Sequence, residues 1–564
     1  MDFVTASIAD HLSFLYGEER GANAASRLEG LLREASTLRS SPPPTARPVT
    51  QRDAMLIAYP DQLHEPGKAP LATLKAFVDR QAREIFTAIH LLPFFPSSSD
   101  DGFAVTDYLE VDPRYGTWDD VRALAENYRL VVDAVLNHAS ARGRWFAGFL
   151  RGEDPWRGYF LTPDPFADWS RVVRPRTSSL FTPIETAAGP ASVWTTFSPD
   201  QVDLNYANPD LLLVMIGILF EYLRRGGQWL RLDAVGFLWK EPGTTCLHLP
   251  QTHRLLCLLR EVVDVAAPWA RLITETNVTH ADNVAYFGGG HEAHMVYQFA
   301  LAPLIVHTLI SGNAAALTAW ASRLVAPPTG ACFLNFLASH DGLGLVPAMD
   351  CLTAGDIERL TARAQARGGV SYRTLSGGGV GPYEVNANLL DLLDEPGADG
   401  IQRFVTAHAI LLAFAGIPAI YFHSLVGSRG DPAGVERTGA RRSINRQKLP
   451  AADVEAELAV PGGLRRRVFD ALRHLLRVRG SLPALDPTAS QQALDLGPHV
   501  FALRRVSADG QELFCVAETA SQSTRVSLPA AGASGIDVLA KETVRLDSIA
   551  MAPLQPRWIT VNHE

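Results

Sequence analysis

Acidic residues and histidines stand at the ends of four short apolar segments, and their types suit the cleavage of a glycosidic bond. The segments are DAVLNH with Asp133 and His138, RLDAV with Asp233, TETN with Glu275, and SHDG with His340 and Asp341. Breaking this bond through an oxocarbenium-like transition state needs one carboxylate nucleophile and one carboxylic acid. An isolated aspartate after a strand is more often a turn or helix cap, so only the whole set predicts an active site.

Asp233 and Glu275 are the predicted acid pair. Arg231 precedes Asp233 by two residues, so period-two alternation puts both side chains on the same side of a strand. A guanidinium there is expected to lower the pKa of Asp233 and keep it ionised. Partial burial beside like charges is expected to keep Glu275 protonated near neutral pH. Asp133 is either part of the site or only a hydrogen-bond anchor. The other strand-end side chains are expected to bind sugar hydroxyls and stabilise charge on the ring: Asp341, His138 and His340.

The elements that must position these residues are short apolar segments alternating with helical patterns. The predicted strands are residues 54–59, 88–92, 130–135, 228–232, 272–274, 295–297, 333–338 and 419–421. Continuously apolar strands separated by helices imply a parallel sheet that is covered on both faces. Eight such strands, with polar residues at their carboxyl ends, predict an α/β fold: a closed (β/α)8 TIM barrel with its catalytic groups at those ends.

The pattern also predicts insertions in the barrel and further domains at its ends. Residues 139–208 form an insertion (domain B) after strand 3, and 342–400 form a second insertion after strand 7 that supplies lid and acceptor loops. Short alternating segments such as HVFALRRVS predict a C-terminal all-β domain. The remaining boundaries are 1–49 for an N-terminal helical extension, 485–564 for the β domain, and 50–138, 209–341 and 401–484 for the three parts of the barrel.

Composition excludes several classes of partner and location. The 564 residues carry a net charge of −9 without a basic block, so neither nucleic acid nor an anionic membrane is an expected partner. The longest apolar run, 211–220, is shorter than the roughly 20 residues of a membrane span, and the N-terminus lacks signal-peptide features. Five scattered cysteines without a CxxC pair predict reduced thiols and a cytoplasmic location. Both a monomer and a homodimer remain open.

The strand-end segments resemble those of a known enzyme family. DAVLNH, RLDAV, TETN and SHDG are similar to the four characteristic segments of the α-amylase family of retaining α-glucosyl enzymes. HLLPFFPSSSDDGFAVTDY, RLDAVGFLWKEPGTTC and GVERTGARRSINR resemble the sucrose phosphorylase subgroup. Within it, WTTFSPDQVDLNY, ITETNVTHADNVAYFGGG, FNFLASHDG and PYEVN are most similar to the branch of glucosylglycerate phosphorylases.

The resemblance implies a reaction and its catalytic residues. Asp233 would be the nucleophile, Glu275 the general acid/base and Asp341 the transition-state stabiliser. The implied reaction is phosphorolysis of 2-O-α-glucosylglycerate through a covalent glucosyl-aspartate, giving α-glucose 1-phosphate and glycerate with retention. Inorganic phosphate is then a co-substrate and no cofactor is implied. No carboxylate cluster with calcium-ligand spacing lies near Asn137, so no metal is predicted.

The resemblance also implies substrate-binding positions. The residues that the resemblance implies will bind the glucose ring are Asp100, His138, Arg231, His340 and Arg442. Phe103 is expected to pack against the sugar or only within its own loop. Arg174 and Arg176 are candidates for binding phosphate and glycerate, since a guanidinium binds either anion bidentately, unless they are solvated surface charges. Tyr383 and Glu384 are expected to line the same side. Glu384 stands where sucrose phosphorylases usually carry glutamine, which argues against sucrose.

Three alternatives stay open from the sequence. The same machinery could phosphorolyse sucrose, a phosphorylated sucrose or glucosylglycerol. It could instead serve an α-glucoside hydrolase or transglucosidase, with water or another sugar in place of phosphate. The third alternative is a non-catalytic sugar-binding barrel. The intact acid pair argues against it, because a barrel that has lost its activity tends to lose the nucleophile or the acid.

Overall fold

A closed barrel of eight parallel strands forms the centre of the molecule. The computed structural model describes residues 3–375, 378–395, 400–529 and 534–561. The barrel strands are β1 (Met55–Ala58), β2 (Ala88–Leu91), β3 (Arg129–Val135), β4 (Gly227–Asp233), β5 (Arg271–Thr274), β6 (Met295–Tyr297), β7 (Cys332–Phe336) and β8 (Ile417–Tyr421). Each strand pairs with its neighbours in chain order, and β8 closes on β1. The predicted (β/α)8 fold is confirmed, because each predicted strand ends within two residues of an observed one.

Helices cover the outside of the barrel. Their bounds are Pro70–Gln81, Trp118–Ala125, Pro209–Arg224, Pro250–Ala266, His280–Ala285, Leu301–Ser311, Ala315–Ala321, Gly400–Ala413 and Leu464–Gly480. Three of them begin with proline, whose fixed φ and missing N–H suit the first helical turn. The helix Leu301–Ser311 was not predicted, because nine of its eleven residues are buried and it lacks the polar face that reveals a surface helix.

The N-terminal residues form helices that pack on the outside of the barrel. They are Ala6–Tyr16, Glu18–Glu34 and Ser36–Ser40. The first contacts the barrel helix Pro250–Ala266, where Ser7 Oγ donates to Glu261 Oε1 at 2.6 Å. The second contacts Pro209–Arg224. This packing adds a layer of helix to one side of the barrel.

Two segments interrupt the barrel and meet above its mouth. The first, between β3 and β4, contains the strands His138–Ser140, Phe181–Thr186, Gly189–Trp194 and Gln201–Asp203 and the helix Arg144–Arg151. The second, after β7, contains the helices Ala354–Gln365 and Leu389–Leu393 and an antiparallel sheet of Leu343–Gly344, Val380–Asn386 and Gly369–Thr374. A β-bridge between Arg174 and Thr374 joins the two segments. Residues 376–377 and 396–399, which fall within the predicted second insertion, lie outside the described residues.

The chain after β8 ends in an all-β region, as predicted. Short helices Phe422–Leu425, Pro432–Thr438 and Ala451–Ala459 precede the last barrel helix. One sheet then contains Ser490–Asp495, Val500–Val506, Glu512–Glu518, Pro556–Val561, Ser534–Asp537 and Glu542–Arg545, and a second pairs Thr524–Val526 with Ile549–Met551. The buried Arg505 side chain joins this region to the barrel, donating from Nη1 to the Ala413 carbonyl at 2.6 Å.

Two further observations concern the chain as a whole. The five cysteines are free. In the part of the chain that the structure describes, no helix is both long enough and apolar enough to cross a membrane.

A buried aspartate ties together the amino-terminal ends of three barrel strands. Asp53, just before β1, accepts hydrogen bonds from Arg129 Nη1 at 2.8 Å, from Arg47 Nη2 at 2.9 Å, from Thr87 Oγ1 at 2.6 Å and from the Thr50 amide at 2.7 Å. Burial acts to raise the pKa of Asp53, but Arg129 and these hydrogen bonds outweigh it and lower the pKa. Asp53 is therefore ionised in the folded protein.

Replacing Asp53 by asparagine should lower the free energy of unfolding at pH 7 by about 3 kcal/mol, because Arg129 is left buried without its counter-charge. The folded-state pKa of Asp53 is lowered, so the ionised carboxylate contributes its full stabilisation of the folded state above the unfolded-state pKa of about 3.9. That contribution is lost as the pH falls through the folded-state pKa. Urea denaturation should thus show a wild-type advantage at pH 7 that shrinks below about pH 4. Asp119→Asn is the control, since its pair with Arg122 is exposed; an equal loss there would contradict the explanation.

Candidate active site

The ends of β4 and β5 bring Asp233 and Glu275 to the two sides of one guanidinium. Arg231 Nη1 donates to Asp233 Oδ1 at 2.9 Å, and Arg231 Nη2 lies 3.9 Å from Glu275 Oε2. Ala234, in a left-handed conformation at φ 52°, turns its amide to donate to Glu275 Oε2 at 3.2 Å. Asp233 and Glu275 both line one cavity of about 210 Å³ at the carboxyl ends of the barrel strands. The predicted same-side placement of Arg231 and Asp233 is confirmed.

Arg231 is itself held by a buried network below the cavity. Its Nη1 donates to Asp133 Oδ1, and His90 Nε2 donates to Asp133 Oδ2 at 2.7 Å. The rings of Phe103 and Tyr297 lie 5.8 and 5.7 Å from the guanidinium carbon. Asp133 does not line the cavity, so of the two readings of this residue the structure favours the hydrogen-bond anchor.

Asp341 is surrounded by three cationic or ionisable side chains. Arg442 Nη1 lies 2.7 Å from its Oδ1, His340 Nε2 3.4 Å and Arg446 Nη2 3.5 Å. Burial acts to raise the pKa of Asp341, but Arg442, His340 and Arg446 outweigh it and hold the pKa well below its usual range. Burial lowers the pKa of His340 to about 3, so this ring is neutral near pH 7. Asp341 therefore presents a negative charge to the cavity.

Most of the residues predicted to bind the glucose ring line the cavity, namely Asp100, Phe103, His138, His340 and Arg442, whereas Arg231 does not. Phe103 is buried and its ring stacks on His340, with centroids 4.9 Å apart and planes 6° apart. His138 Nε2 donates to the Phe103 carbonyl at 3.0 Å, and burial lowers the pKa of His138. Asp100 pairs with Arg446 at 3.2 Å. Phe103 thus packs against neighbouring side chains and also lines the cavity. Packing against the sugar and packing only within the protein are both compatible with this position.

Burial changes the protonation of the two central carboxyl groups. It raises the pKa of Glu275 to about 7, with the charges of Asp233 and Asp341 adding to the rise. It also raises the pKa of Asp233 to about 7, although Arg231 pulls it down. The expectation that Arg231 keeps the pKa of Asp233 low is therefore wrong, because burial and the nearby negative charges outweigh one guanidinium.

The acid pair consequently shares one proton near pH 7. Arg231 is within hydrogen-bond distance of Asp233, at 2.9 Å, but 3.9 Å from Glu275. The closer guanidinium favours the negative charge on Asp233 and leaves the proton on Glu275. An ionised aspartate beside a protonated glutamic acid is the arrangement that nucleophilic attack with acid assistance requires.

The predicted acceptor-side residues divide into two groups. Arg176, Tyr383 and Glu384 line the cavity, and the Arg176 guanidinium lies 5.4 Å from the centre of the Tyr383 ring. Glu384 is buried and accepts from Arg442 Nη2 at 2.6 Å and Nε at 3.2 Å. Arg174 does not line the cavity, because its side chain turns to donate to the Ser178 carbonyl.

Two buried cationic side chains that pair with carboxylates near the site were missed by the sequence reasoning. Arg446 lies in the quoted segment GVERTGARRSINR, four residues after Arg442, and contacts Asp100, Asp101 and Asp341. The second is Lys240, at the end of the segment RLDAVGFLWK. No spacing rule identifies either residue, since each carboxylate partner lies far away along the chain.

Lys240 places an ammonium group beside Asn137. Its Nζ donates to Asn137 Oδ1 at 3.0 Å and pairs with Asp203 Oδ2 at 2.6 Å. Asp203 also accepts from the amide and hydroxyl of Thr196. Within the described ranges, no group of three or more His, Cys, Asp and Glu side chains could hold a metal ion.

Lys240→Met should lower the free energy of unfolding by about 3 kcal/mol, because Asp203 is left buried without its cation. Adding Asp203→Asn should restore part of the loss, since no uncompensated charge then remains. A double-mutant cycle by urea denaturation measures the coupling, which we expect at about 1–3 kcal/mol. Strictly additive losses would show that the pair does not stabilise the fold as an ion pair.

Comparisons with known proteins find relatives along most of the chain. A glucosylglycerate phosphorylase of Allomeiothermus silvanus is 46% identical over 515 residues, covering 90% of this chain and 91% of the relative. A glucosylglycerate phosphorylase of Escherichia coli is 39% identical over 566 residues, covering 98% of this chain and 99% of the relative. The crystal structure of the sucrose 6F-phosphate phosphorylase from Thermoanaerobacter thermosaccharolyticum superposes with a TM-score of 0.74 at 22% identity, covering 89% of this chain and 99% of that one.

The family model for the α-amylase catalytic domain matches residues 84–341, which include β2 to β7 and the acid pair. The identity to the two curated relatives extends over most of the chain, beyond the part that the family model matches. The chain therefore belongs to the α-amylase family and, within it, to the glucosylglycerate phosphorylases.

Proposed function

We propose that this protein cleaves 2-O-α-glucosylglycerate with inorganic phosphate, releasing α-glucose 1-phosphate and glycerate with retention of configuration. The observation that carries the proposal is the contact of Asp233 and Glu275 with the same guanidinium in one cavity. Membership of the glucosylglycerate phosphorylases supports the choice of substrate. The reaction uses phosphate as co-substrate and needs no cofactor.

In the first half-reaction the glucosyl unit moves to the enzyme. Asp233 attacks the anomeric carbon while the bond from this carbon to the glycerate oxygen breaks. Glu275 gives its proton to that departing oxygen. The products are a β-glucosyl ester of Asp233, free glycerate and an ionised Glu275. The ion pair with Arg231 favours the charge that Asp233 needs for this attack.

In the second half-reaction phosphate takes the place of glycerate. Ionised Glu275 accepts a proton from the attacking phosphate oxygen, which bonds to the anomeric carbon. The ester bond to Asp233 breaks and returns the carboxylate. Two inversions give net retention, and Glu275 ends the cycle protonated, as it began.

The surrounding side chains bind the sugar and stabilise the transition state. Asp341 is held ionised and faces the cavity, so it stabilises positive charge on the ring. Arg442 fixes Asp341 and is itself fixed by Glu384. The proposed contacts to the ring hydroxyls and sugar face are made by Asp100, Phe103, His138 and His340.

The proposed acceptor side favours an anion. Arg176 lies there against Tyr383 and Phe197, and its positive charge suits phosphate in one half-reaction and glycerate in the other. Glu384 does not repel these anions with a free charge, because it accepts two hydrogen bonds from Arg442. Fructose and glycerol carry no charge for Arg176 to bind.

We also propose a cytoplasmic location, which the free cysteines support because a reducing compartment preserves them. For the oligomeric state we propose a monomer or a homodimer. Light scattering after size-exclusion chromatography distinguishes the two forms.

The substrate is tested by running the reaction in reverse from α-glucose 1-phosphate with D-glycerate, fructose, fructose 6-phosphate, glycerol or water. We expect D-glycerate to give the highest kcat/KM, with release of phosphate. Asp233→Asn and Glu275→Gln should each lower the rate by at least about 10³-fold, and Asp119→Asn should leave it unchanged. Preference for fructose or glycerol would reject the glycerate substrate, and glucose release that does not depend on an acceptor would indicate a hydrolase.

The roles of the acid pair predict a bell-shaped pH profile of kcat/KM with limbs on either side of about pH 7. Activity is lost at low pH as Asp233 gains a proton and at high pH as Glu275 loses one. With α-glucosyl fluoride as donor the alkaline limb should disappear, because fluoride leaves without a proton. Glu275→Gln should keep much more activity with this donor than with glucosylglycerate. An unchanged alkaline limb would contradict Glu275 as the acid.

A further inference from the structure

We propose that Arg373, on the strand Gly369–Thr374 of the second insertion, forms with Arg176 a two-guanidinium site that binds the anionic group of the acceptor. The occupants would be phosphate in one half-reaction and the carboxylate of a short hydroxy acid in the other. This inference rests on the proposed function and adds to it a residue that selects charged over neutral acceptors.

The two arginines come from different insertions that are joined beside the cavity. Thr374, next to Arg373, forms a β-bridge with Arg174, and its hydroxyl donates to the Arg176 carbonyl at 3.2 Å. On the other side, Arg373 pairs with Gly381 of the strand that carries Tyr383. Arg373 and Arg176 line the same cavity as the acid pair.

Both guanidinium groups lack a carboxylate partner within the residues that the structure describes. Arg373 Nε is buried without a hydrogen-bond partner, and Arg373 Nη2 lies 4.0 Å from the sulfur of Met349. Among the described residues, the Arg176 side chain donates only to the neighbouring Pro175 carbonyl, at 3.2 Å, and lies against two aromatic rings. A cation whose donors are buried without partners is unfavourable until an anion supplies the missing hydrogen bonds.

The glucose side of the same cavity shows the opposite pattern. There Arg442 lines the cavity while Arg231 and Arg446 lie outside its lining, and each of the three pairs with at least two carboxylates. Their charges are already compensated, so they have little attraction left for an incoming anion. The free positive charge of the cavity therefore lies on Arg176 and Arg373. A phosphate or a carboxylate bound there can accept hydrogen bonds from both guanidinium groups.

The test uses the full chain and α-glucosyl fluoride as donor, so that every acceptor meets the same glucosyl-enzyme. Phosphate, D-glycerate, glycerol and water are compared in the wild type, Arg373→Gln and Arg373→Lys. For Arg373→Gln we expect kcat/KM to fall about 50-fold for phosphate and for D-glycerate, mainly through KM. Rates with glycerol and water should change less than about threefold, and Arg373→Lys should recover part of the loss for the two anions.

Arg359→Gln is the matched control, because this arginine lies in the same insertion but is exposed and paired with Asp356. Equal losses for charged and neutral acceptors in Arg373→Gln, with an unchanged thermal midpoint, would overturn the proposal, as would no loss for the anions. A wild type that transfers glucose to neither anion would instead reject the proposed function, and the role of Arg373 with it. The wild-type and variant comparisons therefore distinguish the two failures.

Discussion

The ion pairs of Arg231 are the interaction on which the rest of the site depends. One buried guanidinium pairs with Asp133 and Asp233 and lies 3.9 Å from Glu275. Without this cation, burying three carboxyl groups at the mouth of a barrel would be strongly unfavourable. Its closer approach to Asp233 than to Glu275 also makes the two acids unequal. A stabilising contact thereby assigns different chemical roles to two similar groups.

The two ends of the cavity differ in whether their arginines are paired with carboxylates. At the glucose end, arginines and carboxylates are paired, so a neutral sugar meets a site that is rigid and already balanced. At the acceptor end, Arg176 and Arg373 project without carboxylate partners among the described residues. Such a division suits a phosphorylase, because its donor ring is neutral while phosphate and glycerate are anions.

The two insertions determine the acceptor end because they supply its walls together. The barrel provides the acid pair from its strand ends, which is the common architecture of TIM-barrel enzymes. Thr374 connects the second insertion to the segment that carries Arg176. Glu384 in the second insertion fixes Arg442, which in turn contacts Asp341. A change in either insertion can therefore alter the choice of acceptor while the acid pair stays in place.

The sequence by itself determined the eight barrel strands and the residues at their ends, because hydrophobic periodicity and strand ends are local properties. Asp233, Glu275, Asp341 and Arg231 follow from those positions. Only the tertiary structure decided which loop arginines reach the site: Arg373 lines the cavity, Arg446 pairs with Asp341 beside it, and Arg174 turns away to the Ser178 carbonyl. It also raised the pKa of Asp233, against the expectation from Arg231 alone. Both depend on burial and on partners distant in sequence, which no local pattern encodes.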